Sequence, residues 1–165
     1  MQMPFEQFVD HNARALLGSA YLLTGDTHAA EDLLQDALER VFMHWSRVLD
    51  PLPYTRTVMA RRVTDGWRAS RRRPRQEPLI VDDHDVPVPD TTQGHAEHAD
   101  MAALLRQLPP RQRAVIVLRY YEDRSEAEIA HALDCAPGTV KSQAAKALRT
   151  LRQLTDDLTE HGRAT

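Results

Sequence analysis

Cysteine, glycine and aromatic residues are all scarce in this chain. Its 165 residues include one cysteine, Cys135, and six glycines, and aromatic side chains make up only 5% of the total. A single cysteine excludes an internal disulfide and is typical of a protein that folds in a reducing compartment. Because strands favour aromatic and β-branched residues, the scarcity of aromatics favours helices. We therefore expect an all-α fold.

Long apolar runs are missing as well. No stretch approaches the roughly 20 apolar residues that a membrane-spanning helix needs. The first residues, MQMPFEQFVDHNAR, lack the basic and apolar regions of a signal peptide. Hydrophobic residues still make up 42% of the chain, which allows a packed core. These features predict a cytoplasmic protein without membrane insertion.

The residue patterns that usually carry catalysis or bind metal are also absent. The sequence has no glycine-rich phosphate loop, no Ser/His/Asp spacing in a strand–turn–helix context and no paired carboxylate in an apolar setting. His84, His95 and His98 are loosely spaced, and no CxxC or HExxH pattern accompanies them. We therefore predict a protein that is not an enzyme and that has no catalytic residue, metal site or cofactor.

The net charge of −3 conceals an uneven distribution. Residues 51–75 contain eight basic side chains and one acidic side chain, and residues 101–153 contain nine and five. Residues 76–100, which lie between them, contain seven acidic side chains and no basic one. The distribution of charge matters more than its total when a protein binds a polyanion. The two basic blocks are therefore candidate nucleic-acid surfaces.

The stretch 124–151 has the pattern of two short helices joined by a tight corner. Ser125 and Glu128 form a capping box at the start of the first helix, and Pro137 suits the first turn of the second. The outward face of the second helix carries basic and hydroxyl groups, namely Lys141, Ser142, Lys146 and Arg149. This pattern predicts a helix-turn-helix that binds a DNA groove. An ordinary helical hairpin with a solvated basic face has the same spacing.

Three further helices are predicted in the first half, over residues 5–23, 26–45 and 54–72. The outer face of the second carries Asp32, Gln35, Asp36 and Glu39. These side chains either support solubility and the helix dipole or form a negative docking face for a basic partner. Pro51 and Pro53 predict a loop over residues 46–53, because proline interrupts a helix.

The helix predicted over residues 54–72 is crowded with arginine. It carries Arg56, Arg61, Arg62, Arg68, Arg71 and Arg72, and Arg73 follows it. Like charges repel unless a polyanion meets them, so this set is typical of a surface that follows a nucleic-acid backbone. Tyr54 and Trp67 are either stacking platforms for single-stranded bases or ordinary core residues.

The connection between the two basic blocks differs from both of them. Residues 74–95 contain four prolines, and positions 77–90 contain five acidic side chains and no basic one. This composition predicts an extended, mobile linker. Helices are predicted over residues 96–108 and from Pro110 onward, and the polar tail after Leu154 is expected to fray. The expected architecture is two small helical domains joined by a flexible acidic linker.

Three motifs in this order resemble the extracytoplasmic-function (ECF) group of bacterial sigma factors, and in particular the sigma-E-like actinobacterial type. AEDLLQDALERVF at residues 30–42 resembles a helix of sigma region 2. YTRTVMARRVTDGWRASRRR at residues 54–73 resembles the promoter-melting helix of the same region. Residues 108–152 resemble region 4 and include LPPRQRAVIVLR and GTVKS.

The resemblance implies a division of the chain into region 2 (1–74), an acidic linker (75–96), region 4 (97–154) and a polar tail (155–165). It implies a factor that binds core RNA polymerase and directs promoter-specific transcription initiation. Region 2 would melt and read the minus-ten element, and region 4 would read the minus-thirty-five element. An anti-sigma factor is an expected further partner, and the active factor is expected at the nucleoid.

The resemblance also assigns residues to three surfaces. Docking on the clamp helices of the polymerase is assigned to Asp32, Gln35, Asp36 and Glu39. Minus-ten binding is assigned to Tyr54, Arg56, Arg61, Arg62, Arg68, Arg71, Arg72 and Arg73, while the loop at 46–53 holds a flipped base. Minus-thirty-five binding is assigned to Thr139, Lys141, Ser142, Gln143, Lys146 and Arg149, with phosphates held by Arg149 and by N–H groups near Thr139. The acidic linker would thread a polymerase channel built for nucleic acid.

Two positions depart from the family pattern. Gln143 stands where the family commonly has arginine, and glutamine favours adenine edges whereas arginine favours guanine. The minus-thirty-five preference is therefore expected to differ. Arg62 and Val63 stand near a position that is often asparagine in the family. The arginine helix is therefore expected to bind phosphates rather than to read individual bases.

Two other classes of protein compete with this interpretation. A free-standing helix-turn-helix regulator would need a dimer interface or a ligand pocket in the first half, which offers an acidic helix and an arginine-rich helix instead. A nuclease would need clustered carboxylates near the basic surface. Asp65 is the only acidic residue within 51–75, which disfavours that class.

Overall fold

The structure is a computed structural model that describes the backbone of residues 2–72 and 94–163 and the side chains of residues 2–66 and 97–162. Seven α-helices run through these residues: α1 (Phe5–Thr24), α2 (Thr27–Met43), α3 (Pro51–Arg72), α4 (Gly94–Arg106), α5 (Pro110–Ile116), α6 (Glu126–Ala132) and α7 (Pro137–Arg163). A 3₁₀ turn at Trp45–Arg47 follows α2, and a π-helical segment at Val117–Tyr121 follows α5. The described residues contain no strand, so the predicted all-α class is confirmed.

The corner between α1 and α2 forms from local signals. Gly25 adopts a left-handed conformation with φ +72°, and its N–H donates to the Tyr21 carbonyl at 2.7 Å. The side chain of Arg106 occupies the space that a Cβ at position 25 would need, so both conformation and space require glycine there. Asp26 then caps α2, because its carboxylate accepts a hydrogen bond from the Ala29 N–H at 2.8 Å.

The start of α3 differs from the prediction. The helix begins at Pro51, whereas the sequence pattern placed a loop over residues 46–53. Both prolines lie in the first turn, where a backbone N–H has no intrahelical acceptor, so their missing N–H groups remove no helical bond. The first helical hydrogen bond runs from the Tyr54 N–H to the Asp50 carbonyl at 3.3 Å. Only residues 48–50 remain as an irregular connection after the 3₁₀ turn.

The helix-turn-helix follows the sequence signals closely. Ser125 Oγ accepts a hydrogen bond from the Glu128 N–H at 3.2 Å, and Glu128 Oε2 accepts one from the Ser125 N–H at 2.7 Å. The predicted capping box at the start of α6 is therefore confirmed. Asp134 takes a left-handed conformation with φ 51° in the corner, and α7 then begins at Pro137.

The polar tail continues as helix instead of fraying after Leu154. Helix α7 extends to Arg163, and its residues 155–162 are exposed. The hydroxyls of Thr155 and Thr159 donate to carbonyls four residues earlier, at 2.8 Å and 2.9 Å. No proline interrupts this stretch, so α7 propagates beyond its packed part.

The two halves of the chain share one hydrophobic core. Helix α1 packs against α4, and α3 packs against α5 and α6. Leu16, Leu23 and Met59 from the first half lie in the same buried cluster as Leu105 and Leu118 from the second. The halves therefore lie directly against each other. Phe42 and Met101 follow the apolar spacing of α2 and α4, yet they are 58% and 46% exposed.

Candidate functional surfaces

One face of α2 forms a compact acidic surface. Asp32, Gln35, Asp36 and Glu39 recur at helical spacing and line one shallow depression. The opposite face of α2 is apolar and buried. Gln35 Nε2 donates to Glu39 Oε1 at 3.5 Å, and Asp36 forms an ion pair with Arg62 of α3. The structure thus brings the predicted docking residues together, but Asp36 already has an intramolecular partner.

The residues predicted to bind the minus-ten element do not all lie on one surface in the structure. Tyr54 is 40% exposed, and Arg62 pairs with Asp36. Arg56 and Arg61 instead turn towards the second half of the chain. Arg56 Nε lies 3.6 Å from Glu122 Oε1, and Arg61 Nε donates to the Ala132 carbonyl at 2.5 Å.

The other members of the predicted minus-ten set are described in backbone only or not at all. Arg68, Arg71 and Arg72 lie in the last turns of α3, where the structure describes the backbone. The side chain of Trp67 likewise lies outside the described residues, as does the whole of Arg73. The contiguous arginine surface therefore remains a prediction for these positions.

The outward face of α7 keeps its basic and hydroxyl groups free for a partner. Lys141, Ser142, Lys146 and Arg149 are exposed, and Thr139 and Gln143 are half-buried. The inward face of the same helix is buried through Val140, Ala144 and Ala147. The Thr139 N–H donates to the Ala136 carbonyl at 3.0 Å. This N–H is therefore not free for a phosphate, although the resemblance assigned phosphate binding to N–H groups near Thr139.

The arginine-bearing first half and the helix-turn-helix second half each match a model of a Sigma-70 region. Residues 8–73 match Sigma-70 region 2, and residues 98–151 match Sigma-70 region 4. The RNA polymerase sigma-E factor of Streptomyces avermitilis is 40% identical over 154 residues, a stretch that covers 92% of this chain and 84% of that relative. The chain belongs to the ECF group of RNA polymerase sigma factors. It therefore serves promoter-specific transcription initiation, and its family consists of proteins that are not catalytic enzymes.

Other relatives of this sigma factor agree in length and fold. The ECF RNA polymerase sigma factor SigL of Mycobacterium tuberculosis is 34% identical over 156 residues, covering 90% of this chain and 87% of that relative. The solved structure of the sigma factor RpoE in complex with the anti-sigma factor NepR from Bartonella quintana is similar, with a TM-score of 0.64 and 23% identity. That match covers 92% of this chain and 96% of the solved chain, and it supports the fold.

A polar cluster between the two halves of this sigma factor was not predicted. The side chain of Glu122 is 1% exposed and lies between Arg56 and Arg124, with 3.4 Å between its Oε2 and Arg124 Nε. Burial raises the pKa of Glu122, and the two nearby guanidiniums oppose that shift. The sequence signal is the charged triplet Glu-Asp-Arg at 122–124 directly after an apolar helix, which resembles an ordinary polar loop.

Arg113 is a second contact between the halves that sequence reasoning missed. Its guanidinium donates to the Leu105, Leu108 and Leu23 carbonyls at 2.9 Å, 3.1 Å and 2.7 Å. Leu105 lies in the last turn of α4, Leu108 lies in the turn that follows it, and Leu23 lies in α1. One side chain therefore ties together the end of α4, the start of α5 and the first half of the sigma factor.

The described residues contain neither a candidate metal cluster nor a candidate membrane span. No group of three or more His, Cys, Asp or Glu side chains among them is arranged so that it could hold a metal ion. His98 Nε2 lies 3.4 Å from the Tyr121 hydroxyl, so this histidine has a structural partner; His84 and the side chain of His95 lie outside the described residues. None of the described helices is both long enough and apolar enough to span a membrane.

Proposed function

We propose that this sigma factor has three binding surfaces: one docks on the polymerase, one binds the minus-ten element and one binds the minus-thirty-five element. The observation that carries this proposal is the placement of its two charged faces. The acidic face of α2 and the basic face of α7 are both exposed and lie in the two halves that match sigma regions 2 and 4. Each face is therefore available to a different partner.

The acidic face of α2 is proposed to bind a basic surface of core RNA polymerase, namely its clamp helices. Asp32, Gln35 and Glu39 are exposed, whereas Asp36 is held by Arg62. Charge complementarity of this kind speeds association and suppresses wrong partners. We expect Asp32 and Glu39 to carry most of the electrostatic attraction.

The connection into α3 is proposed to hold a flipped base of the minus-ten element. Residues 46–50 precede the helix, and Leu49 is fully exposed on this connection. Tyr54 lies one turn into α3 with 40% of its surface exposed, so its ring can stack on an unpaired base. The arginines of α3, from Arg56 to Arg72, would bind the phosphates of the same strand together with Arg73, which follows them in the sequence.

The exposed face of α7 is proposed to enter the major groove of the minus-thirty-five element. Lys141, Ser142, Gln143 and Lys146 would face base edges, and Arg149 would bind a phosphate. Thr139 would contribute through its hydroxyl, because its N–H is already donated to Ala136. Glutamine at position 143 favours adenine.

An anti-sigma factor is proposed as a further partner. One solved structure with a similar fold is the sigma factor RpoE in complex with the anti-sigma factor NepR, and another is CnrH in complex with the cytosolic domain of CnrY. The partners of this chain would be core polymerase and promoter DNA, so we also propose that it acts at the nucleoid in the cytoplasm.

Co-elution with core RNA polymerase in the absence of DNA tests the proposed docking face. We expect the wild-type chain to form a one-to-one complex. The double variant Asp32→Lys, Glu39→Lys should bind about tenfold more weakly or worse, because like charges would then face each other across the interface. Both side chains are exposed, so the fold should be retained.

The matched control for this experiment lies at the end of α7. Asp157→Lys, Glu160→Lys changes the net charge by the same amount at two exposed positions and should bind polymerase like the wild type. Equal binding by all three proteins would remove the docking face from α2. A folded wild-type chain that does not bind polymerase at all would instead favour a free-standing DNA-binding regulator.

A further inference from the structure

We propose that Gln2 is a positioning residue for minus-ten recognition. Its side-chain amide fixes the base-holding connection (residues 45–50) in the shape that presents Leu49 and Tyr54 to a flipped base. This inference rests on the proposed function, since it takes that connection as the place where the base is held. Gln2 acts through the backbone of the connection and is not itself assigned a contact to DNA.

The amide nitrogen of Gln2 donates two hydrogen bonds to the base-holding connection. Its Nε2 lies 2.8 Å from the Trp45 carbonyl oxygen and 2.9 Å from the Val48 carbonyl oxygen. Carbonyl oxygens only accept hydrogen bonds, and a glutamine amide nitrogen carries two N–H donors. One side chain therefore satisfies two backbone groups that lie 43 and 46 positions away from it in the sequence.

These two carbonyls lie at the two ends of the 3₁₀ turn. The turn spans Trp45–Arg47, and the Val48 N–H donates to the Trp45 carbonyl at 3.2 Å. The hydrogen bonds of a 3₁₀ turn have poorer geometry than those of an α-helix. The two bonds from Gln2 therefore fix a turn that its own hydrogen bonds hold weakly.

The backbone that Gln2 holds lies directly before the exposed part of the connection. Val48 is 8% exposed, whereas Leu49 is fully exposed. On the other side, the Asp50 carbonyl accepts a hydrogen bond from the Tyr54 N–H at 3.3 Å. Leu49 therefore lies between two fixed backbone positions, and a shift at Val48 would move it relative to the Tyr54 ring.

Ring packing anchors the same region of the fold independently of Gln2. The centroid of the Trp45 ring lies 5.2 Å from that of the Phe5 ring, edge to face, and 5.2 Å from that of the Phe8 ring. These contacts hold the Trp45 side chain against α1, whereas Gln2 holds the backbone around it. Removal of the Gln2 amide should therefore loosen the connection and leave the fold intact.

The competing explanation is that Gln2 only ties the residues before α1 to the rest of the fold. In that case its loss would loosen those residues without changing which base the connection selects. The two explanations therefore differ in one measurable property, which is the base preference at a single position of the minus-ten element.

Base preference is measured with holoenzyme reconstituted from the full chain and bacterial core RNA polymerase. The probe is a library of 12-nucleotide single DNA strands with a randomised central segment, and the bound strands are sequenced. Leu49→Ala and Tyr54→Ala identify the position that the connection reads. Gln2→Ala should relax the preference at that same position about fivefold, which corresponds to the net contribution of one hydrogen bond to an equilibrium constant. Preferences at the other positions should stay unchanged.

Gln7 provides the matched control, because it is a second exposed glutamine in the same part of the chain. Gln7→Ala should select the same bases as the wild type. Gln2→Glu keeps the shape of the side chain but presents only acceptors to the two carbonyls, so it should relax the preference at least as much as Gln2→Ala. Gln2→Lys restores donors and should recover most of the preference, whereas Gln7→Lys in the Gln2→Ala background should not recover it.

Hydrogen exchange in the free chain reports on the geometry without DNA. The Val48 N–H should exchange about fivefold faster in Gln2→Ala than in the wild type, because local opening of the turn then costs less free energy. The Ala29 N–H, which donates to the Asp26 carboxylate at 2.8 Å at the start of α2, is the reference. It should exchange at the same rate in both proteins.

Two results overturn the inference and leave the proposed function in place. If Leu49→Ala relaxes the preference at one position and Gln2→Ala does not, Gln2 only ties the residues before α1 to the fold. If Gln2→Ala weakens binding to every sequence equally, or leaves Val48 exchange unchanged, its hydrogen bonds do not position the connection.

A third result has a different meaning. If neither Leu49→Ala nor Tyr54→Ala changes the preference at any position, the connection does not hold a base. The proposed minus-ten assignment of residues 46–50 then fails, and the role of Gln2 fails with it.

Discussion

Glu122 lies in an environment that few carboxylates occupy, since glutamate is rarely fully buried unless it is paired. Its two guanidinium neighbours lie at 3.4 Å and 3.6 Å, which is longer than a hydrogen bond of good geometry. Charge attraction therefore compensates its burial only in part. Removing one partner of such a pair leaves an uncompensated buried charge. A substitution at Glu122 is therefore expected to change the stability of the contact between the halves.

The pH dependence of stability tests this environment through Glu122→Gln. Burial raises the pKa of Glu122 above its ordinary value of 4.5. Between 4.5 and the raised pKa, the folded chain keeps a proton that the unfolded chain has released. Raising the pH through this interval therefore lowers the free energy of unfolding, and Glu122→Gln lacks this decline. Urea denaturation from pH 4.5 upward should show the wild type losing stability relative to the variant.

Glu128 offers a comparison of opposite sign in the same measurement. Its hydrogen bonds with Ser125 lower its pKa below 4.5, so its contribution is present above 4.5 and is lost as the pH falls through the lowered value. Glu128→Gln should therefore be less stable than the wild type above pH 4.5, and this difference should shrink as the pH falls below 4.5. A constant difference between wild type and Glu122→Gln at every pH above 4.5 would contradict the buried-carboxylate account.

At the scale of single elements, α7 separates a packed face from a face that is free for DNA. Lys146→Ala should weaken binding to a promoter duplex and reduce the slope of log K against log salt by about 0.9, which corresponds to one phosphate. If Lys146 instead contacts a base, the slope should stay and the preference at one position should relax. Filter binding across a salt series distinguishes these results, and Arg40→Ala on the exposed side of α2 is the control. A variant with unchanged affinity, slope and preference would show that this face is wrongly assigned.

The capping box of α6 is an element whose energetics can be measured directly. Ser125→Ala removes the acceptor of the Glu128 N–H and should lower the free energy of unfolding by about 1 kcal/mol. Ser142→Ala is the control, because its side chain is exposed within α7 and alanine is a better helix former than serine. Equal thermal stability of the two variants would show that the box contributes nothing to the fold.

The elements also show which features could be predicted from sequence. The capping box of α6 depends on residues within a few positions, and it was predicted. The start of α3 was not, because a proline pair also fits the first turn of a helix. Phe42 follows the apolar stripe of α2, yet it is 58% exposed even though the Phe5 ring lies 4.9 Å away between centroids. Helix periodicity does not specify what a neighbouring element covers.

At the scale of the whole molecule, the contact between the halves could not be predicted from local patterns. Arg113 contacts the Leu23 carbonyl across 90 positions, and Arg124 contacts Pro53 across 71. Arginines in a basic block predict a polyanion, and nothing in their spacing shows that carbonyls of the same chain will satisfy them. The charge pattern therefore predicted a nucleic-acid ligand. The structure shows which arginines already bind groups of the same chain.

Arg113 tests whether the two halves unfold together. Arg113→Ala removes a charged donor from carbonyls of α1, α4 and the turn at Leu108. The net contribution of a hydrogen bond to a charged group is about 1.5–3 kcal/mol. We expect a loss of about 2–3 kcal/mol in the free energy of unfolding. Arg113→Lys should recover only part of it, because a single ammonium cannot reach acceptors that a planar guanidinium spans.

The shape of the urea unfolding transition shows whether the two halves unfold together. Because the shared core joins both halves, the wild type should unfold in one urea transition when followed by near-ultraviolet and far-ultraviolet signals. In Arg113→Ala the α1 contact is weakened while each half keeps its own helix packing, so the two signals should separate. Coincident transitions with an unchanged urea slope would mean that Arg113 stabilises the α4–α5 corner alone. In that case the polar cluster around Glu122, rather than Arg113, would hold the halves together.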